Sequence, residues 1–186
     1  QCNISCFVVR IWFQVKLRGF PVHVLETGSG SNAIEAAFPL MQALHELEES
    51  WNGPERRHAA YADVHHPINL NIGRIEGGDW PSSVPAWCTF DVRIATYPEQ
   101  DLAEARREIE DTIRGAAQKD SFLANSPPEI VYHGFFAEGY ELINADAAEA
   151  VLGAAHEAVN GTQLQKVPTT ATTDARFFGL YADTPG

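Results

Sequence analysis

The chain has 186 residues, of which 45% are hydrophobic and 20% charged, enough for one full domain or for a small domain with part of another. A formal net charge of -12 opposes the long-range attraction to phosphate backbones, and no segment has the apolar length needed to span a bilayer, so nucleic-acid and membrane partners are both disfavoured. Cys2, Cys6 and Cys88 give an odd count without a paired metal spacing, which points to a reducing compartment, the cytoplasm.

From about Val8 to Leu17, β-branched and aromatic residues read as a strand that ends at Gly19 with Pro21 soon after. The loop from Thr27 to Ser31 leads to Asn32 with Glu35 three residues on, a capping-box pattern that starts a helix. Its apolar stripe is Ile34, Phe38, Met41, Leu44, Leu47 and Trp51, and Pro39, which cannot donate to the carbonyl of Glu35, predicts a kink or an irregular first turn. Asn52-Gly53-Pro54 stops that helix, and a polar connection runs to about His66 before Ile68, Leu70 and Ile72 alternate as a strand. Gly73 to Arg93 then reads as strand, tight turn, strand. The returning arm sets Cys88, Phe90, Val92 and Ile94 on one face and Trp87, Asp91 and Arg93 on the other. A guanidinium on the uncovered face of a sheet suits a carboxylate or phosphate, because its planar fork donates two parallel hydrogen bonds.

Glu99 to about Lys119 carries Leu102, Ala105, Ile109, Ile113 and Ala116 at helical spacing, with acidic residues in the first turn where the helix dipole favours them. Pro127-Pro128 precedes Glu129 to Tyr132, a fourth strand. The order strand, helix, strand, strand, helix, strand makes this an α+β chain with a ferredoxin-like unit. From Phe135 the character changes. A helix runs from about Asn144 to Val159 and ends at Asn160-Gly161, Gln163 to Val167 reads as a strand, and Thr172 to Gly179 as a turn opening a short helix. One helix and one strand cannot close a core, so this part is expected to be an incomplete α/β segment of a larger domain. The opening Gln1 to Cys6, without an initiating methionine, and the ending Thr184-Pro185-Gly186 fit a truncated piece.

Two local patterns carry little. Asp63, His65 and His66 lie in a polar connection without a second cluster of ligands, so they make a poor metal site. Gly28-Ser29-Gly30 lacks the lysine of a phosphate loop and reads as a helix lead-in.

Four stretches together, Arg18 to His23, Gly30 to Ala36, Gly73 to Arg93 and Thr172 to Phe177, resemble in order and spacing the acetylornithine deacetylase and succinyl-diaminopimelate desuccinylase family of di-zinc amidohydrolases. The resemblance implies that residues 8–134 are a ferredoxin-like lid and dimerisation domain and residues 135–186 a fragment of the zinc-dependent catalytic domain. It further implies two divalent metal ions, zinc in the family, whose ligands lie in motifs this chain does not contain. A homodimer through the lid and a small N-acylated substrate follow from the same likeness.

By this resemblance His23 is the lid histidine that reaches into the partner subunit's active site and donates to the oxyanion of the tetrahedral intermediate. Arg93 grips the substrate carboxylate, and Ser82 stands where many members have an asparagine beside that arginine. Thr172 and Thr173 fall on the small hydroxyl residues that line the substrate pocket, with Asp174 and Arg176 holding their turn. From the residues alone, His23 reads first as a surface or satisfied histidine, and Arg93 equally as a substrate clamp and as a structural partner of Asp91 or a solvated charge. The expected activity of the intact protein is hydrolysis of an N-acyl amino-acid-like amide such as acetylornithine, the chain alone being inactive. The rival readings are a stand-alone dimerisation or binding module without catalysis, and a deformylase or carbamoyl-amide hydrolase of the same family.

Overall fold

The computed structural model describes residues 2–142, 144–171, 174 and 176–182. In chain order these form β1 (Cys2–Phe7), β2 (Val9–Arg18), α1 (Ala33–Trp51), β3 (Leu70–Gly77), β4 (Trp87–Thr96), α2 (Leu102–Ala117), β5 (Glu129–Ala137), β6 (Tyr140–Glu141), α3 (Asp146–Asn160), β7 (Gln165–Thr169) and α4 (Arg176–Ala182). A four-stranded sheet has the order β3-β4-β2-β5 with every pair antiparallel, and a three-stranded sheet has the order β6-β1-β7. The first is the ferredoxin-like arrangement expected from the element order, α1 and α2 forming the crossovers.

Alternation decides what the four-stranded sheet buries. Ile11, Phe13, Val15 and Leu17 of β2 and Cys88, Phe90, Val92 and Ile94 of β4 point to one face, where they meet Leu44 of α1 and Ile109 and Ile113 of α2 in a single core. The opposite face, with Arg10, Trp12, Gln14 and Lys16 of β2 and Thr89, Asp91 and Arg93 of β4, carries no helix of the pair. Cys88 is a free thiol, buried, and burial raises its pKa.

Four local expectations change in the structure. The buried stripe of α1 is rotated: Phe38 is 57% exposed, while Ala33, Ala36, Ala37 and Leu40 join Leu44, Leu47 and Trp51 in the core. Alanines let the helix approach the sheet closely, and a pattern weighted toward large side chains overlooks them. The helix also runs unbroken through Pro39. The turn between β3 and β4 is not tight but a long connection from Gly78 to Ala86. Finally, β5 extends past Tyr132 to Ala137 through a register shift opposite Ile11 to Phe13, with Gly134 at φ 76° under the ring of Trp12.

The second sheet needs a strand that sequence reading did not place. β1 lies at its centre, antiparallel to β6 and parallel to β7, and a single fully buried residue, Val8, carries the chain from it into β2. Gly161 ends α3 at φ 69°, as the Asn160-Gly161 stop predicts.

Candidate functional site

His23 sits at the far end of the four-stranded sheet. Gly19 closes β2, and the next residues bridge two partners: Phe20 pairs with Ser31 and His23 with Ser83. The Val24 amide donates to the Ser82 carbonyl at 3.0 Å and the Val84 amide to the Val22 carbonyl at 2.9 Å, so His23 and Ser82 share one small ladder. The His23 ring is exposed, and its Nδ1 accepts the Leu25 amide at 3.3 Å, capping a short 3-10 turn. With Nδ1 accepting, the neutral ring carries its proton on Nε2, which faces solvent as a donor. A cleft of about 590 Å³ opens beside it, lined by Val24, Asn32, Glu35, Asp79, Trp80 and Ser83.

Arg93 lies elsewhere. It stands six residues along β4 from Trp87, roughly 20 Å of strand away from the tip, between Trp12 of β2 and Asn71 of β3 on the open face. Asp91, the structural partner considered above, is engaged by others: Oδ1 accepts from Gln14 Nε2 at 2.7 Å and faces His133 Nε2 at 3.4 Å, and Oδ2 lies 3.7 Å from Arg74 Nη1. Among the described residues none forms a hydrogen bond or ion pair with the Arg93 guanidinium. The structure thus brings His23 and Ser82 together and keeps both away from Arg93. Ser82 makes no contact with it.

At the same end as Arg93 the two sheets meet. Arg10 Nη2 donates to the Thr170 carbonyl at 2.7 Å and the Tyr61 hydroxyl to the Thr169 carbonyl at 3.0 Å, so two lid side chains hold consecutive carbonyls at the end of β7. Thr172 and Thr173, which follow, lie outside the described residues. Arg176 is buried, its guanidinium between the rings of Phe135 at 4.8 Å and Phe177 at 4.6 Å, and the Asp174 carbonyl accepts the Phe177 amide. Sequence reasoning missed Arg10 and Tyr61. Arg10 was legible as a second cation on the polar side of β2, whereas nothing local marks Tyr61.

No group of three or more His, Cys, Asp or Glu side chains among the described residues is arranged to hold a metal ion. Among the described residues no helix is long and apolar enough to cross a membrane.

Residues 9–121 match the peptidase dimerisation domain of the M20 peptidases. The chain belongs to that family. The matched dimerisation domain spans β2 to the end of α2, so it contains His23, Ser82 and Arg93. A deformylase of N-formyl-4-amino-5-aminomethyl-2-methylpyrimidine from Halalkalibacterium halodurans is 29% identical over 105 residues, which cover 56% of this chain and 24% of that protein. Among solved structures, a tripeptidase from Staphylococcus aureus superposes with a TM-score of 0.67 at 12% identity, over 99% of this chain and 43% of the other. An amidase of the hydantoinase/carbamoylase family from Burkholderia phymatum superposes with a TM-score of 0.63 at 15% identity, over 98% and 41%. The dimerisation domain and the three-stranded sheet therefore share their fold with peptidases and amidases, and the chain spans less than half the length of these relatives.

Proposed function

We propose that this chain is the lid, with part of the catalytic domain, of a cytoplasmic metal-dependent amidohydrolase that cleaves a linear amide in an N-acylated, carboxylate-bearing substrate. In this reading the lid, expected over residues 8–134, runs to the end of β5 at Ala137, and β1 together with the elements after β5 belongs to the catalytic domain. The observation that carries it is the state of His23: an exposed imidazole whose Nδ1 is occupied by the Leu25 amide and whose Nε2 proton faces outward. A positioned N–H donor is what an amide carbonyl needs as it gains negative charge, and losing such a donor costs about 2.7–4 kcal/mol in comparable sites.

The separation of His23 from Arg93 supports a homodimer. Roughly 20 Å of strand between them exceeds the reach of a small amide, so one copy cannot apply both to one substrate. A second copy brings its His23 to the first copy's Arg93. Arg93 then binds the substrate carboxylate through its two-pronged fork. Ser82, beside His23, contributes a single hydroxyl to the same partner-derived edge, and a substrate-binding role for Thr172 and Thr173 rests on the family resemblance alone. The two divalent ions of the family, zinc by resemblance, find no ligand cluster among the described residues. By the family resemblance their ligands lie in motifs that this chain does not contain.

A second reading changes only the acyl group. The deformylase relative favours an N-formyl amide over an N-acetyl one, and the carbamoylase-family likeness concerns the fold alone. The test is hydrolysis by the complete protein, with zinc, of N-acetyl, N-succinyl, N-formyl and N-carbamoyl amino acids. Turnover of at least one, lost on removal of the carboxylate from the substrate, is the expected result. Hydrolysis of none favours a binding module without catalysis.

A further inference from the structure

Arg93 is not the only cation without a counter-ion on the open face. Arg10 lies one strand over: β2 pairs with β4 so that Arg10 faces Ala95 and Trp12 faces Arg93, which makes Arg10 and Arg93 diagonal neighbours on the same side of the sheet. Arg10 Nη2 donates to the Thr170 carbonyl, but its Nε is buried and has no hydrogen-bond partner. A buried guanidinium N–H left unpaired costs free energy unless something completes it. Burial, and then the charge of Arg93, lower the pKa of Arg10, so the two guanidiniums lie close enough to repel.

Asp91 and Glu76, on the same face, are engaged by other groups: Asp91 faces Arg74 and His133 and accepts from Gln14, and Glu76 accepts from Arg74 at 2.5 Å. No carboxylate of the described residues forms an ion pair with Arg10 or Arg93. Two guanidiniums therefore stand diagonally on one face beside the end of β7, one of them with a buried N–H that has no partner.

We propose that Arg10 and Arg93 together seat a ligand carrying two negative charges, a dicarboxylate, with Arg93 holding one carboxylate and Arg10 the other. The inference rests on the carboxylate role proposed for Arg93 and adds what that role leaves open, the charge of the substrate. One carboxylate would neutralise one guanidinium and leave the second uncompensated, so charge balance selects a dianion. Because Arg10 also holds Thr170, the second carboxylate lies at the seam where the lid meets the chain leading to Thr172 and Thr173.

The test is calorimetric titration of the full 186-residue chain with succinate, with succinamate, which has the same length and one charge, and with acetate, all at one ionic strength. A charge-assisted hydrogen-bond pair corresponds to about tenfold or more in affinity, so succinate binds at least about tenfold more tightly than succinamate or acetate. Arg10→Gln removes that preference, Arg93→Gln weakens all three, and Arg10→Lys keeps part of the preference. A merely structural Arg10 would lower thermal stability in Arg10→Gln without changing the succinate-to-acetate ratio, and that outcome overturns the proposal. So does a wild-type chain that binds succinate and succinamate equally, or binds neither, a comparison that needs no variant. Failure of hydrolysis in the complete protein removes the proposed activity but leaves this charge preference standing. Hydrolysis of monocarboxylates with no gain for dicarboxylates removes the preference alone.

Discussion

The amide of Leu25 donates to Nδ1 of His23 at 3.3 Å, which assigns the proton of the neutral ring to Nε2. His23 and Arg93 lie on opposite ends of one sheet. A homodimer in which each copy lends His23 to the other predicts complementation. His23→Ala and Arg93→Gln each lower kcat/KM, the first by about 100-fold or more through loss of an oxyanion donor. Mixed after unfolding and refolding together, the two variants form half their dimers as hybrids, and each hybrid has one complete site of two. About a quarter of wild-type activity returns. Recovery below a few percent, with sedimentation showing hybrid dimers, would place both residues in one copy's site.

Glu48 ties α1 to the start of β3. Its Oε1 accepts the Leu70 amide at 2.7 Å and faces His66 Nε2 at 3.1 Å, and its Oε2 faces His45 Nδ1 at 3.0 Å. Burial alone would raise the Glu48 pKa, but the Leu70 amide and the two imidazoles outweigh it and the net shift is downward. A carboxylate with its folded pKa below its unfolded one adds stability above the unfolded value, near 4.3 for Glu, and loses it as pH falls through the folded pKa. Glu48→Ala therefore lowers stability by about 2 kcal/mol at pH 7 through the unpaired Leu70 amide. The gap between wild type and Glu48→Ala narrows as the pH is taken below about 4. Urea midpoints at pH 7 and pH 3.5 measure both. An equal gap at the two values would show that the charge on Glu48 contributes nothing.

The fold was legible where period and punctuation agree. The alternation of Cys88, Phe90, Val92 and Ile94 and the three- and four-residue steps of Ala105, Ile109, Ile113 and Ala116 each match a buried face, because strand and helix periods are fixed by backbone geometry. Phe38 misled, because large size counts for hydrophobicity but α1 reaches the sheet through Ala33, Ala36 and Ala37. β1 was missed although Cys2, Ile4 and Cys6 alternate, since a strand read alone gives no sign of the partners, β6 and β7, that arrive far later in the chain. The candidate site was legible residue by residue, but not its geometry. That His23 meets Ser82 through a backbone ladder, and that Arg10 and Tyr61 grip Thr170 and Thr169, depends on contacts between distant segments that no local pattern encodes.

The Tyr61 hydroxyl and Arg10 guanidinium hold the carbonyls of Thr169 and Thr170 from the lid side. Tyr61→Phe keeps the ring, which is fully buried beside Tyr97 with centroids 5.7 Å apart, and removes the donor to Thr169. The loss is about 1 kcal/mol for one neutral hydrogen bond. Its signature is local: amide hydrogen exchange quickens across β7, while the α1 and α2 amides exchange as in the wild type. Uniform acceleration through the lid would instead mean that Tyr61 matters to the core and not to the seam.

Gly19 decides whether the His23 end of the sheet can close at all. A Cβ at this position would lie 2.3 Å from the Ser31 carbonyl oxygen and 2.4 Å from that of Pro85, and both are backbone atoms that cannot swing aside. These are the segments that hold the ladder: the Gly19 amide donates to the Ala86 carbonyl, the Phe20 amide to Ser31, and Ala33 at the start of α1 to Pro85. Gly19→Ala must push three strands of chain apart at once, an overpacking cost of about 1–3 kcal/mol. The displacement acts where His23 and Ser83 pair, so kcat/KM of the complete protein falls further than the stability loss explains at a temperature where the variant is fully folded. Ala33→Gly, in the same contact but without added volume, separates the two effects: it lowers stability by about 1 kcal/mol through helix propensity and leaves kcat/KM unchanged. Equal activity of Gly19→Ala and wild type under those conditions would show that the ladder does not set the position of His23.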